Sequence, residues 1–100
     1  MTTIKITKTM IECSDHAGDR VKCAMLSALT VSLIENLTER LDLNIEYSLR
    51  SGYFYMDLRH LDAVATTLVD SYIYSLISLS NSFPDNFSLS IADYKLNGIV

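Results

Sequence analysis

A histidine and a cysteine lie seven residues apart in ECSDHAGDRVKCAMLSALT, the stretch from Glu12 to Thr30. His16 follows a strand-like segment, and Cys23 begins an apolar helical pattern. A thiol is a nucleophile only as thiolate, a form that a helix N-terminus and a nearby cation both favour. Cys23 is predicted to have both, because it lies in the first helical turn beside Lys22. The two side chains are therefore the parts of a Cys–His nucleophilic site.

The segment between the two side chains has to return the chain on itself so that the imidazole meets the sulfur. Gly18 lies in this segment and provides the conformational freedom for a sharp reversal. The unpaired backbone N–H groups at the start of the helix are expected to hold the oxyanion of a tetrahedral intermediate. Such a mechanism needs no cofactor.

The same residues leave two other interpretations open. A His–Cys pair at this spacing also arises by chance, and a cysteine is often a small buried hydrophobe, as we expect for Cys13. Cys13, His16 and Cys23 are three potential zinc ligands, and CSDH places two of them three residues apart. A structural zinc site wants four ligands and usually a CxxC or HxxxH pair, so we expect no metal. His60 is a second candidate base, recommended only by its residue type, and we expect a surface or capping histidine there.

The composition indicates one globular domain over residues 1–100, with 49% apolar and 20% charged residues. The net charge of −4 and the scattered Lys and Arg argue against nucleic-acid binding. We find no run of about 18 uninterrupted apolar residues and no signal-peptide core, so we expect a cytoplasmic protein without a membrane partner. Two cysteines do not make a disulfide framework.

Hydrophobic periodicity predicts an α+β fold in the order ββαββα, with a last strand in FSLSI. Alternation predicts strands in TIKITKT and MIECSD, and a 3.6-residue period predicts a helix over about 22–41 with Asp19 as N-cap. NIEYSLRSGYFYMDL is predicted to form a hairpin, and Asp62 to cap a second long helix that ends before Pro84. We expect a mostly antiparallel sheet. The second helix is apolar enough to lie centrally or to pack against a second subunit.

The stretch DHAGDRVKCAMLSALT resembles the signature of the ribosomal-processing cysteine protease family, Prp. The likeness consists of a His-Ala-Gly step followed by a Cys-Ala-x-x-Ser-Ala-Leu helix start, here His16, Ala17, Gly18, Cys23, Ala24, Ser27, Ala28 and Leu29. The hairpin RSGYFYMDL and the helix end LISLSNSFPDNF, with Phe83 and Pro84, are similar to the family as well. The resemblance extends over most of the chain.

The resemblance implies a small α+β fold that forms homodimers and acts as a cytosolic thiol peptidase. It implies a ribosomal protein as substrate, with removal of the N-terminal extension of large-subunit ribosomal protein twenty-seven after an aromatic residue. By the same resemblance, Cys23 is the nucleophile, His16 the general base and Ser27 a supporting residue near the site. Gly18 supports the turn between His16 and Cys23.

Two departures from the family pattern bear on activity. Asp15 stands before the histidine where family members usually have Gly, and its opposite charge is expected to support the imidazolium of His16. The segment from His16 to Cys23 is about five residues shorter than in the family, a change that loops tolerate. The shortening motivates an alternative function, in which a catalytically weak or inactive homologue binds a ribosomal protein or its own twin without cutting.

Overall fold

The computed structural model describes residues 1–96, and the predicted α+β order of elements is confirmed there. The elements are β1 Thr2–Thr7, β2 Met10–Ser14, α1 Arg20–Glu35, β3 Tyr47–Arg50, β4 Tyr53–Asp57, α2 Ala63–Ser82 and β5 Phe87–Ala92. A π-helical turn, Asn36–Arg40, prolongs α1 so that the helical segment ends close to the predicted position.

One five-stranded sheet organises the described residues, in the order β3-β4-β2-β1-β5. The pairs β1–β2, β2–β4 and β3–β4 are antiparallel, and only β5 runs parallel to its neighbour β1. The sheet is therefore mostly antiparallel, as the sequence predicted. β2 lies between β1 and β4, which brings its C-terminal end at Ser14 beside the turn of the β3–β4 hairpin.

The two faces of the sheet differ as strand alternation requires. Ile4, Ile11, Phe54 and Met56 are at most 3% exposed and belong to one apolar core. Intervening residues such as Lys5 are exposed on the opposite face. The helices cover the apolar face only, which gives two layers.

Helix α2 supplies most of the helical part of the core. Its buried apolar positions recur at helical spacing and are Ala65, Val69, Tyr72, Ile73, Leu76 and Leu79. In contrast, α1 buries only Thr30, Leu33 and Ile34, all in its second half. The first half of α1, where Cys23 lies, is therefore left at the surface.

Both predicted N-caps are confirmed. The Asp19 carboxylate accepts from the N–H of Val21 at 2.8 Å and that of Lys22 at 3.2 Å, and Asp62 accepts from the N–H of Ala65 at 2.8 Å. Because α1 begins at Arg20, earlier than periodicity suggested, Cys23 is the fourth helical residue.

Two helical segments, Arg20–Arg40 and Ala63–Ser82, are long and apolar enough to cross a membrane. The core helix of a soluble protein meets the same criterion, and here α2 forms much of the core.

Two valines on α2 test how much of the stability comes from core burial. Val69 is 0% exposed and Val64 is 57% exposed. We expect Val69→Ala to lower the free energy of unfolding by about 2 kcal/mol, from lost burial plus the cavity left behind. The matched Val64→Ala should change it by less than about 0.5 kcal/mol. Urea denaturation of both variants measures these losses of stability. Equal losses would contradict the fold described, in which Val69 is buried in the core and Val64 is exposed.

Candidate active site

His16 and Cys23 line one cavity of about 70 Å³. It lies between the first half of α1 and the end of the sheet where β2 meets the β3–β4 hairpin. Asp15 and Ser27 line it too, so the structure brings four of the five predicted site residues together. Gly18 is not part of the wall but belongs to the loop, residues 15–19, that connects β2 to α1.

The loop reverses the chain through two residues in the left-handed region, Asp15 at φ 71° and Gly18 at φ 85°. Asp is among the few residues that tolerate this conformation, for which glycine is best suited. Asp15 thus occupies a position whose backbone suits glycine, the residue that the family resemblance leads one to expect there. The reversal brings the backbone N–H of Ala17 to 3.3 Å from the sulfur of Cys23, to which it donates.

The N–H of Ala17 is the hydrogen-bond donor that the described residues give the sulfur of Cys23. Ala17 is 1% exposed, so this N–H is shielded from water. Lys22, expected to assist, is engaged elsewhere: its ammonium lies 3.5 Å from the Asp19 carboxylate and 4.9 Å from the centre of the Phe83 ring.

Three of the N–H groups at the start of α1 already have an acceptor and are not available for an oxyanion. Those of Val21 and Lys22 donate to the Asp19 carboxylate, and that of Cys23 donates to the Asp19 carbonyl at 3.0 Å. The hydrogen bond from Lys22 holds the pKa of Asp19 below its usual range. The expected use of these groups in an oxyanion hole therefore does not fit the structure, because the cap residue already occupies them.

The imidazole of His16 is exposed and lies against Gly52 in the β3–β4 turn. A Cβ atom added to Gly52 would lie 3.0 Å from Nε2 of the ring, so only glycine leaves the ring this space. The N–H of Asp15 donates to the Gly52 carbonyl at 2.9 Å and ties the two turns together. Among residues 1–96, the imidazole makes no hydrogen bond to the sulfur of Cys23. Catalytic hydrogen bonds are often longer without substrate and form in the complex.

The other candidate residues, Ser27, Cys13 and His60, differ in their exposure and in their position relative to the cavity. Ser27 is exposed at the cavity, and its hydroxyl makes no hydrogen bond within the described residues. Cys13 is 3% exposed, and burial raises the pKa of its thiol to about 12, which agrees with a structural role. His60 lies beyond the far end of β4, away from the cavity, and is exposed.

No three His, Cys, Asp or Glu side chains within residues 1–96 come together in a way that could hold a metal ion. The zinc interpretation therefore lacks a donor set, although Cys13, His16 and Cys23 all border the cavity.

Sequence reasoning missed the residues that hold the loop from outside. Thr2 donates from Oγ1 to the Asp15 carbonyl at 2.8 Å, and Asn86 donates from Nδ2 to the Ala17 carbonyl at 2.8 Å. Both are remote in sequence from the loop, and no motif marks them. Gly52 had a signal, since it lies in the predicted hairpin NIEYSLRSGYFYMDL, but its contact with His16 was not foreseen.

Comparison with solved structures supports the fold that the resemblance implied. The ribosomal processing protease Prp from S. aureus, in complex with a covalently linked product peptide, superimposes with a TM-score of 0.82 at 18% identity, covering 92% of this chain and 100% of the other. The fold is that of Prp. The same protease with a substrate peptide gives 0.82 at 16% identity with the same coverage, and SMU.848 from Streptococcus mutans gives 0.73 at 20%, covering 93% of each chain.

No protein-family description matches the sequence, and no curated protein matches it. The likeness to Prp at this identity is one of fold. Beyond the fold, this chain's own residues show the geometry described above, in which the N–H of Ala17 donates to the sulfur of Cys23.

Two glycines separate backbone strain from contact with the imidazole. Gly18 and Gly52 both have positive φ, so an alanine at either costs about 1–2 kcal/mol of stability. A Cβ at Gly18 has nothing within 4 Å, whereas one at Gly52 meets the His16 ring. We expect both variants to lose stability of this order, and only Gly52→Ala to shift the NMR signals of the His16 ring strongly, because the exposed ring must move away from the new Cβ. Equal effects on that ring would contradict the packing described.

The two thiols should react differently. At pH 8 iodoacetamide is expected to modify Cys23, which is half-buried, and to leave Cys13 unmodified, since its pKa near 12 and its burial keep it a neutral, shielded thiol. Intact-protein and peptide mass spectrometry checks this. The native protein should gain one adduct and Cys23→Ser none, while the unfolded chain should gain two; modification of Cys13 in the native protein would disprove it.

Proposed function

We propose that this protein is a cytoplasmic cysteine endopeptidase of the Prp kind, which removes the N-terminal extension of large-subunit ribosomal protein twenty-seven. Cys23 is the nucleophile and His16 the general base. The observation that carries the proposal is the buried N–H of Ala17 donating to the Cys23 sulfur, on the wall that His16 shares. A structural cysteine needs neither an N–H donor nor a neighbouring imidazole.

The reaction follows from these positions. The sulfur of Cys23 attacks the scissile carbonyl carbon, and its proton passes to the His16 imidazole. The imidazolium then gives this proton to the leaving amine as the C–N bond breaks, which leaves a thioester. Water, deprotonated by His16, hydrolyses the thioester and restores the thiol.

In this mechanism the imidazole reaches the sulfur by a side-chain movement. His16 is exposed, and its ring lies against Gly52, which has no side chain. The N–H of Ala17 serves the anionic sulfur first. As the new S–C bond removes that negative charge, this N–H is released next to the carbonyl carbon, where the oxyanion forms.

Two kinds of observation support the choice of a ribosomal protein as the substrate. The S. aureus Prp structures hold a substrate peptide in one case and a covalently linked product peptide in the other. The net charge of −4 suits a basic partner such as a ribosomal protein. We further propose a homodimer in the cytoplasm, without nucleic acid, membrane or cofactor.

A second candidate function is a binding module that retains the fold without cutting. Its support is specific: in the described structure the His16 ring does not contact the Cys23 sulfur by a hydrogen bond, and Asp19 occupies the N–H groups at the helix start. Such a protein would hold a ribosomal protein, or a second copy of itself, on the same surface.

A cleavage assay separates the two functions. The purified protein is incubated with ribosomal protein twenty-seven of the same organism, and the products are weighed by mass spectrometry. We expect a single cut near the N-terminus that disappears in Cys23→Ala and falls at least about 100-fold in His16→Ala, the usual scale of general-base catalysis. Cys13→Ala is the matched control and should still cut.

Three results would count against the peptidase. An intact substrate that co-purifies with the protein supports the binding module instead. A cut that persists in Cys23→Ala indicates a contaminating protease. A ribosomal protein twenty-seven without an extension in that organism removes the expected substrate.

A further inference from the structure

We propose that Thr2 and Asn86 are positioning residues for the nucleophile, acting through the loop rather than by touching substrate. They fix the peptide groups on both sides of the Ala17 N–H, which in turn donates to Cys23. The proposal rests on the proposed function for its effect on cleavage, but its effect on the sulfur is measurable without any cleavage.

Thr2 holds the side of the loop that precedes Ala17. Its hydroxyl donates at 2.8 Å to the carbonyl of Asp15, the residue before His16. Thr2 is 1% exposed, so this hydrogen bond is shielded from competing water. Thr2 is also fixed by the sheet, since it begins β1 and pairs with Phe87 of β5.

Asn86 holds the side of the loop that follows the Ala17 N–H. Its side-chain amide donates at 2.8 Å to the carbonyl of Ala17, a contact that joins positions 69 residues apart. Its backbone is anchored at both groups, because its N–H donates to Phe83 at 3.0 Å and its carbonyl accepts from Thr2 at 2.9 Å. Thr2 and Asn86 are therefore linked to each other by a backbone hydrogen bond.

The peptide unit that carries the Ala17 N–H thus lies between two fixed neighbours. The Asp15 carbonyl fixes the preceding peptide and the Ala17 carbonyl fixes the following one. These contacts also hold Asp15 in its left-handed conformation, at φ 71°, which residues other than glycine adopt less readily. Relaxation of the loop would rotate the N–H away from the Cys23 sulfur.

Other groups around Cys23 also influence its reactivity, and the variants must leave them in place. The titratable or charged side chains that border the cavity or the helix start come from the loop, α1, β2 and the β3–β4 hairpin: Cys13, Asp15, His16, Asp19, Lys22, Arg50 and Tyr53. Neutral substitutions at Thr2 and Asn86 change none of these charges. A shift in the reactivity of Cys23 in these variants therefore reflects a change in the conformation of the loop.

The experiment follows the rate of Cys23 alkylation against pH in four proteins: the unaltered chain, Thr2→Val, Thr2→Ser and Asn86→Leu. Valine and leucine keep the approximate shape and remove the donor, while serine keeps the hydroxyl. We expect the midpoint of the profile to move up by about half a pH unit or more in Thr2→Val and in Asn86→Leu, since each loosens a hydrogen bond to the thiolate. Thr2→Ser should keep the original midpoint.

In the cleavage assay, the same two variants should lose kcat several-fold, because they alter the nucleophile. Thr2 is part of the cavity lining and Asn86 is not, so Asn86→Leu is the variant in which KM should change little. A merely structural role would lower the melting temperature and leave the pH midpoint unchanged in the folded protein, and that result would overturn the proposal. If Asn86→Leu does not fold, the Thr2→Val and Thr2→Ser pair decides the question. Absence of cleavage in the unaltered chain would remove the proposed function but leave the alkylation result valid.

Discussion

The hydrogen bond from the Ala17 N–H to the Cys23 sulfur is the contact on which the rest of the site depends. A cysteine in the fourth position of a helix does not automatically receive the potential of the helix start, because here the cap residue Asp19 accepts the first N–H groups. Lys22 pairs with the same carboxylate. The hydrogen bond that the sulfur accepts therefore comes from the loop, and every feature that shapes the loop affects the position of this donor.

The cap of α1 shows how helix stability and chemistry compete for the same backbone groups. An Asp N-cap typically stabilises a helix by about 1 kcal/mol because it accepts from N–H groups that otherwise lack partners. The same groups are those an oxyanion hole at a helix start would use. In this protein Asp19 accepts from the N–H groups of Val21 and Lys22, and the N–H that donates to the sulfur of Cys23 is that of Ala17, in the loop.

Much of the fold was predictable because it rests on local patterns. Alternation and helical periodicity located the strands and helices, and Asp19 and Asp62 marked the caps, since each of these signals spans only a few residues. His16 and Cys23 were predictable for the same reason. Thr2, Gly52 and Asn86 were not, because their roles arise from contacts across the fold, such as the 69 residues between Asn86 and Ala17. Asn86 resembles any polar residue in a turn until the structure places its amide on the loop.

The short loop bears directly on the choice between peptidase and binding module. The segment from Asp15 to Cys23 carries defined contacts at Ala17 and at the cap, with left-handed backbone at Asp15 and Gly18, so little ordering remains to be done when a ligand arrives. A loop this ordered favours an oriented sulfur. The imidazole of His16, in contrast, is exposed and lies against Gly52, so the loop orders the sulfur while the ring stays at the surface. The choice between peptidase and binding module therefore depends on the approach of this imidazole to the sulfur, two groups that form no hydrogen bond with each other within residues 1–96.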